Sequence, residues 1–255
     1  MRNVFAICSK ELKGYFASPI AYLLLTIFAI LFGYFFYAMV ALFAQASMES
    51  QMSGRSFPMN VNQQVIAPLF SDTTFVAMFL IPMISMRLFA EEKRQGTMEL
   101  LLTSPIRDWE IVIGKFLGAL LMYMALLGIS ALDVSLLFIY GKPAWGSILT
   151  GYLGLLLQGG CLLALGAYIS TTTKNQIVAA GATFGLCLLL FVLSWMTDLA
   201  QSTGAKIVAY FSVNSHYEPF SKGLIDTKDI VFYLSFIFLG LFLTTRSLES
   251  LRWRA

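Results

Sequence analysis

Apolar residues run unbroken, or nearly so, over six stretches of this chain, at about residues 20–44, 72–90, 109–139, 146–170, 175–197 and 229–248. A hydrocarbon core of about 30 Å needs roughly 20 such residues in one helix, so each stretch is a candidate span. The polar stretches between them leave no room for a soluble domain. Ahead of the first span the pattern changes period. On a helical wheel Val4, Phe5, Cys8, Leu12, Tyr15 and Phe16 share one arc, and Arg2, Asn3, Ser9, Lys10 and Lys13 lie opposite. That separation predicts a helix lying in the membrane plane, with Lys10 and Lys13 toward anionic headgroups. Pro19 marks the turn into the first span. The pattern therefore predicts an all-α integral membrane protein. A cytoplasmic interfacial helix occupies 1–18 and a six-span transmembrane domain occupies 19–255, with a charged loop at 87–110 and an outer re-entrant loop at 198–228.

Composition agrees with that pattern. Of 255 residues 58% are hydrophobic and only 12% charged, against about 25% charged in soluble domains. The net charge of +3 is too small to argue for nucleic acid. Its distribution is more informative. With the N-terminus inside, Arg2, Lys10, Lys13, Arg87, Lys93, Arg94, Arg107, Lys115, Lys174, Arg246, Arg252 and Arg254 fall on the inner side. Only Arg55, Lys142, Lys206, Lys222 and Lys228 fall outside. The positive-inside rule then puts both termini of a multi-pass protein in the cytoplasm. Ala44-Gln45-Ala46 imitates a signal-peptidase site, but the apolar run before it is far longer than an h-region of about 7–15 residues. Cys8, Cys161 and Cys187 have no metal-binding spacing and read as reduced packing residues.

Finer signals mark the ends of the spans. Ser71-Asp72-Thr73-Thr74 reads as the N-cap of the second span, which Pro82 should kink. Ser104-Pro105 reads as the N-cap and first residue of the third helix. Gly114-xxx-Gly118, Gly181-xxx-Gly185 and the pair Gly160 and Ala164 allow close helix contact, within the chain or between copies. Asp133 is the one carboxylate well inside a span, a candidate pathway residue. His216 stands in the outer loop. It is a candidate pH sensor, or a metal ligand with Met48, Met52 and Met59, but a structural role suits it better, and no metal site is expected.

The densest charge lies between the second and third spans, in Arg87-Leu-Phe-Ala-Glu-Glu-Lys-Arg-Gln-Gly-Thr-Met-Glu-Leu-Leu-Leu-Thr-Ser-Pro105. Thr97 can cap a short helix from Met98 to Thr103. Met98, Leu101 and Leu102 give it one apolar face. A helix of about two turns is not stable alone and must pack on something. Either it enters a groove on a soluble partner, with Glu91 and Glu92 pairing to basic residues there, or it packs against its own spans. The residues alone leave both open.

The segments Glu91-Glu92-Lys-Arg-Gln-Gly96-Thr97, Leu100-Leu-Leu-Thr-Ser-Pro105 and Gly114-Lys115 resemble the signature of ABC type-2 permeases, the membrane subunits of ABC exporters. The likeness covers the whole chain. Ser215–Asp226 and Ser247–Trp253 resemble the gliding-motility-associated branch of that family. The resemblance implies a separate ATPase subunit beneath the permease, carrying ATP and magnesium, and no cofactor on this chain. It implies a coupling helix at about 97–103, with Glu91, Glu92, Gly96, Thr97, Met98, Leu101 and Leu102 as ATPase-coupling residues. It also implies a second permease, identical or related, and leaves room for a periplasmic auxiliary protein.

The sequence offers no catalytic constellation. Gly204-Ala-Lys206 lacks the rest of a phosphate-binding loop. Glu91-Glu92 begins like an intramembrane protease motif, but Gly96 stands where arginine is needed and the only histidine is across the membrane. The expectation is a non-enzymatic permease that couples a partner's ATP hydrolysis to export or to mechanical work at the envelope. The alternatives are an ATPase-independent secondary transporter, which would need paired charges at mid-depth, and a membrane scaffold.

Overall fold

The computed structural model describes residues 2–53, 60–103, 105–140, 143–195 and 210–252, leaving aside the side chains of Ser53, Leu102 and Tyr140. Met59, the side chain of Leu102 and the Gly204-Ala-Lys206 segment therefore fall outside the described residues. The chain is all-α, with α1 (Arg2–Ala17), α2 (Pro19–Ser53), α3 (Ala67–Ser85), α4 (Arg87–Gln95) and α5 (Met98–Thr103). There follow α6 (Asp108–Tyr140), α7 (Trp145–Thr172), α8 (Gln176–Val192), α9 (Glu218–Ser221) and α10 (Thr227–Arg252). A π-helical turn at Asn62–Ile66 leads into α3.

Among the described residues, five helical stretches are long and apolar enough to cross a membrane: Pro19–Met52, Asn62–Gln95, Asp108–Ile139, Trp145–Thr172 and Thr227–Arg252. The fifth predicted span is shorter than expected. Its helix, α8, has 17 residues, about 25 Å at the usual rise. Exposed Leu23 and Ile30 on α2, Leu132 and Ile139 on α6 and Phe238 on α10 form an apolar outer belt, the surface a bilayer covers.

Helix α7 is the hub, packed on α3, α6, α8, α9 and α10. Its glycines make that crowding possible. A Cβ on Gly151 would meet the Phe70 ring at 2.2 Å, and one on Gly159 the Tyr123 ring at 2.1 Å. Gly240 of α10 faces the Ala164 backbone at 2.7 Å in the same way. Aromatic rings thus occupy the space side chains would have taken, which keeps the interior at protein packing density.

Two helix starts differ from the sequence reading. The second span begins upstream, because Val65, Ile66, Leu69 and Phe70 are buried and hold those turns in the core. Ser71, Thr73 and Thr74 consequently fall past the start of the helix, and their hydroxyls donate to the carbonyls of Ala67, Leu69 and Phe70 instead of capping. The third helix begins at Asp108, not at Pro105. There Glu110 reaches back to accept the Arg107 N–H at 3.2 Å, the return half of a capping box.

Helix α1 lies along the start of α6, where Gly114 and Gly118 form the seat. A Cβ on Gly118 would come 2.7 Å from Glu11 Cβ, and one on Gly114 2.8 Å from Ile7 Cβ. The small-residue pair of the third span is thus used within the chain. Gly181 and Gly185 meet nothing within 4 Å. The covered stripe of α1 is Val4, Ile7, Cys8 and Tyr15, while Phe5 turns outward. Gly118→Val should lift α1 from α6 at a cost of about 1–3 kcal/mol. Cys8 buried between them should then react with a polar thiol reagent that the native protein resists; unchanged labelling would contradict this packing.

Candidate functional site

One end of the bundle gathers most of the charge and the least regular backbone. The helix of the second span breaks between Ser85 and Met86, one turn after Pro82. A break leaves backbone donors and acceptors without intrahelical partners. Two other helices supply them. From α7, Ser170 Oγ accepts from the N–H groups of Phe89 (3.1 Å) and Ala90 (3.0 Å) and donates to the Met86 carbonyl (3.0 Å). From α1, the Tyr15 hydroxyl donates to the Ile84 carbonyl at 2.8 Å. The Arg87 guanidinium lies over the Tyr15 ring and binds Glu91 at 2.8 Å. Burial, and after it the Glu11 carboxylate, raise the Tyr15 hydroxyl's pKa; the same two causes push the Cys8 thiol up. Both groups therefore stay neutral.

Beyond the break, α4 spans the gap between α6 and α7. On one side the Lys115 ammonium of α6, only 2% exposed, meets Glu11 of α1 at 2.7 Å and Glu92 of α4 at 2.9 Å. It also sits over the Phe89 ring. On the other side Lys93 donates to the Thr171 carbonyl at the end of α7. Thr171 in turn donates to Ser247 of α10 at 2.8 Å. Arg252 of α10 pairs with Asp108 of α6 at 3.3 Å. One polar cluster ties α1, α4, α6, α7 and α10 together. A recess of about 320 Å³ opens beside it, lined in part by Lys10, Glu11, Arg87, Glu91, Glu92 and Lys115.

Helix α4 ends at Gly96, whose φ of 71° is open to glycine and strained for other residues. Its N–H and that of Thr97 both donate to the Glu92 carbonyl, which reverses the chain into α5. Thr97 Oγ1 also turns back toward that carbonyl, at 3.4 Å. Within α5, Met98 is buried and Leu101 packs against the core. Glu99 and Leu100 face outward, Leu100 with 73% of its surface exposed.

The structure thus brings Glu91, Glu92, Gly96, Thr97, Met98 and Leu101 to one end of the molecule, beside Lys10 of α1, which lies 3.8 Å from Glu92. It also changes what they face. Glu92 spends its charge on Lys115, and Met98 and Leu101 on the chain's own core. Among the described side chains of α5, the apolar one presented to the outside is Leu100. Lys13 is exposed on α1. Asp133 is half-buried on α6, far along the helix from this end.

His216 sits at the opposite end and is buried. Its Nδ1 lies 2.6 Å from Asp229 Oδ1 and its Nε2 2.9 Å from the Tyr210 carbonyl oxygen. Both ring nitrogens are thus engaged, one by a carboxylate and the other by a backbone carbonyl. The ring stacks on Phe232 at 3.9 Å. Tyr233 adds a bond from its hydroxyl to the Val213 carbonyl at 2.8 Å. These contacts fasten residues 210–221 to the first turns of α10. Met48 and Met52 are exposed on α2.

The family model described as ABC-2 family transporter protein matches residues 5–240. The chain belongs to the ABC-2 transporter family. It is 30% identical over 181 residues to the "Probable ABC transporter permease protein NosY" of Pseudomonas aeruginosa, covering 66% of each chain. It is 29% identical over 114 residues to the "Probable multidrug ABC transporter permease YbhR" of Escherichia coli, covering 44% of this chain and 29% of that one. The matches thus span about two thirds of one relative and under a third of the other.

Sequence reading of this ABC-2 protein missed four residues that hold the site and the opposite end. Lys115 carried a weak signal, a lysine placed two turns into an apolar helix between two glycines. Glu11, Ser170 and Asp229 carried none beyond their polarity. Asp229→Ala would remove one partner of a buried pair, a loss that typically costs about 3–5 kcal/mol. Thermal unfolding in detergent should show a clear drop in midpoint for Asp229→Ala; an unchanged midpoint would mean that the His216 bond contributes nothing to stability.

Proposed function

We propose that this ABC-2 family member is the permease subunit of an ABC exporter, driven by ATP hydrolysis on a separate ATPase subunit. The observation that carries the reading is α5: a six-residue helix projecting from the charged end of a membrane bundle, with Leu100 open to the outside. A short helix held by its own chain on one face and bare on the other suits docking into a groove on a soluble partner. The family match and the permeases among its relatives supply the class of that partner. ATP and magnesium are bound by the ATPase, which transmits its motion through α5.

In this reading the charged end is cytoplasmic, as the distribution of lysine and arginine favours. Both termini lie there, in the bacterial inner membrane. Lys10 and Lys13 on α1 face anionic headgroups or the same ATPase. Two permeases, identical or related, enclose the pathway, and Asp133 contributes a polar group to it. The segment fastened by His216 and Asp229 forms part of the outer cap, where an auxiliary periplasmic protein can engage. Coupling is then a difference in contact between two states, not a chemical step on this chain.

Leu100→Asp should release the ATPase subunit from the complex purified from native membranes. A leucine buried at an interface is worth about 1.5–3 kcal/mol, roughly ten- to a hundredfold in affinity. The permease itself should keep its elution profile and helicity, because Leu100 touches solvent. Met98→Asp should instead destabilise the permease. Undiminished ATPase recovery with Leu100→Asp would remove α5 as the docking element.

A further inference from the structure

We propose that Lys115 is a positioning residue: by holding Glu92 and Glu11 at once, it sets the angle of α4 and so the place at which α5 is presented. The inference rests on the proposed coupling function for its consequence, but its geometry belongs to this chain alone.

Helix α4 is held at more than one place along its length. Its first turn is pinned at the break, by Ser170 from α7 and Tyr15 from α1. These bonds define a pivot at the start of α4, and the Lys93 bond to the Thr171 carbonyl holds α4 to α7 alone. Glu92 lies a turn and a half further on, and it is there that Lys115 takes hold. Two anchors at different distances from a pivot fix a direction. Gly96, one turn later, adds a fixed reversal, so the direction of α4 determines where α5 stands.

The chemistry of the anchor matters as much as its place. An apolar contact at Glu92 would allow α4 to slide on α6. A buried ammonium bound to two carboxylates does not, since each bond has a short range and a preferred direction, and displacement leaves a charge buried without a partner. Lys115 reaches both carboxylates because Gly114 and Gly118 let α1 approach α6 until Glu11 lies beside them. The remaining charges nearby are already assigned. Arg87 binds Glu91, Lys93 donates to the Thr171 carbonyl of α7, and Lys10 is mostly in solvent, 3.8 Å from Glu92. None of them replaces a buried ammonium facing both α1 and α4. Movement of α5 by a docked partner must therefore carry α6 and α1 with it, or break the Lys115 bonds.

The test needs only the full-length permease in nanodiscs. Spin labels at Glu99→Cys in α5 and Thr172→Cys at the end of α7 report the α5 position, with Cys8, Cys161 and Cys187 replaced by alanine. A second pair, Phe75→Cys in α3 and Leu149→Cys in α7, reports the rest of the bundle. All four label sites are exposed. Lys115→Met and, in parallel, Glu92→Gln should broaden the α5 distance distribution while the α3–α7 pair stays narrow. Lys115→Arg should keep both narrow. A purely structural lysine would not produce this contrast between the two pairs. The proposal is overturned if the α5 distribution stays as narrow as in the parent protein in both variants, or if both pairs broaden together in both. Because no ATPase is present, these outcomes do not depend on docking. The separate loss of ATPase on Leu100→Asp tests the coupling reading itself.

Discussion

A lysine ammonium taken almost wholly out of water is the constraint on which the charged end of this molecule depends. Such a group is tolerated only where opposite charge and hydrogen bonds replace its hydration. Lys115 obtains them from Glu11 and Glu92, which lie 104 and 23 residues away in sequence on two other helices. The requirement fixes α1 against α6, and α4 against both. Without α1 in its seat, Glu11 is lost from the cluster. The first helix of the chain is thus part of the bundle as well as a candidate for lying along a membrane surface.

A second constraint comes from the bilayer. Backbone groups freed near the membrane have little water to meet them, so a broken helix there needs protein partners. Ser170 and Tyr15 meet that need for the second span, one from α7 and the other from α1. A break supported in this way is a defined joint and not a weakness. It places a turn of irregular geometry where a projecting helix can be attached to the membrane core. The glycines of α7 serve the same economy of space, admitting aromatic rings from α3 and α6 and closing the bundle around one central helix.

Much of this was legible in the sequence, and the parts that were not have physical reasons. The apolar segments were found because the bilayer imposes a length on every span. Gly96 entered the sequence reading only through the family resemblance, and its left-handed turn between two helices became visible in the structure. Helix ends were misplaced where burial overrode local preference. Thr73 and Thr74 look like caps until Leu69 and Phe70 are seen to be buried ahead of them. The charged loop was recognised as the candidate site, but its residues alone left open whether they face a partner or their own spans. Within the chain Glu92 meets Lys115, Met98 and Leu101 pack inward, and among the described side chains of α5 Leu100 is the outward apolar one. The rotation of a six-residue helix is set by the helix it follows, and no periodicity within six residues reveals it. The His216–Asp229 pair was illegible because nothing in a sequence says which of several outer acids a histidine will meet.

The central claim is that α5 is the surface at which another subunit drives this membrane bundle. Hydrogen–deuterium exchange, followed by mass spectrometry on the permease alone and on the complex purified with its ATPase subunit, tests it most directly. The account predicts slower amide exchange in the complex across residues 94–103, with the outer segment 210–221 unchanged. Equal exchange across residues 94–103 in the two preparations would contradict it.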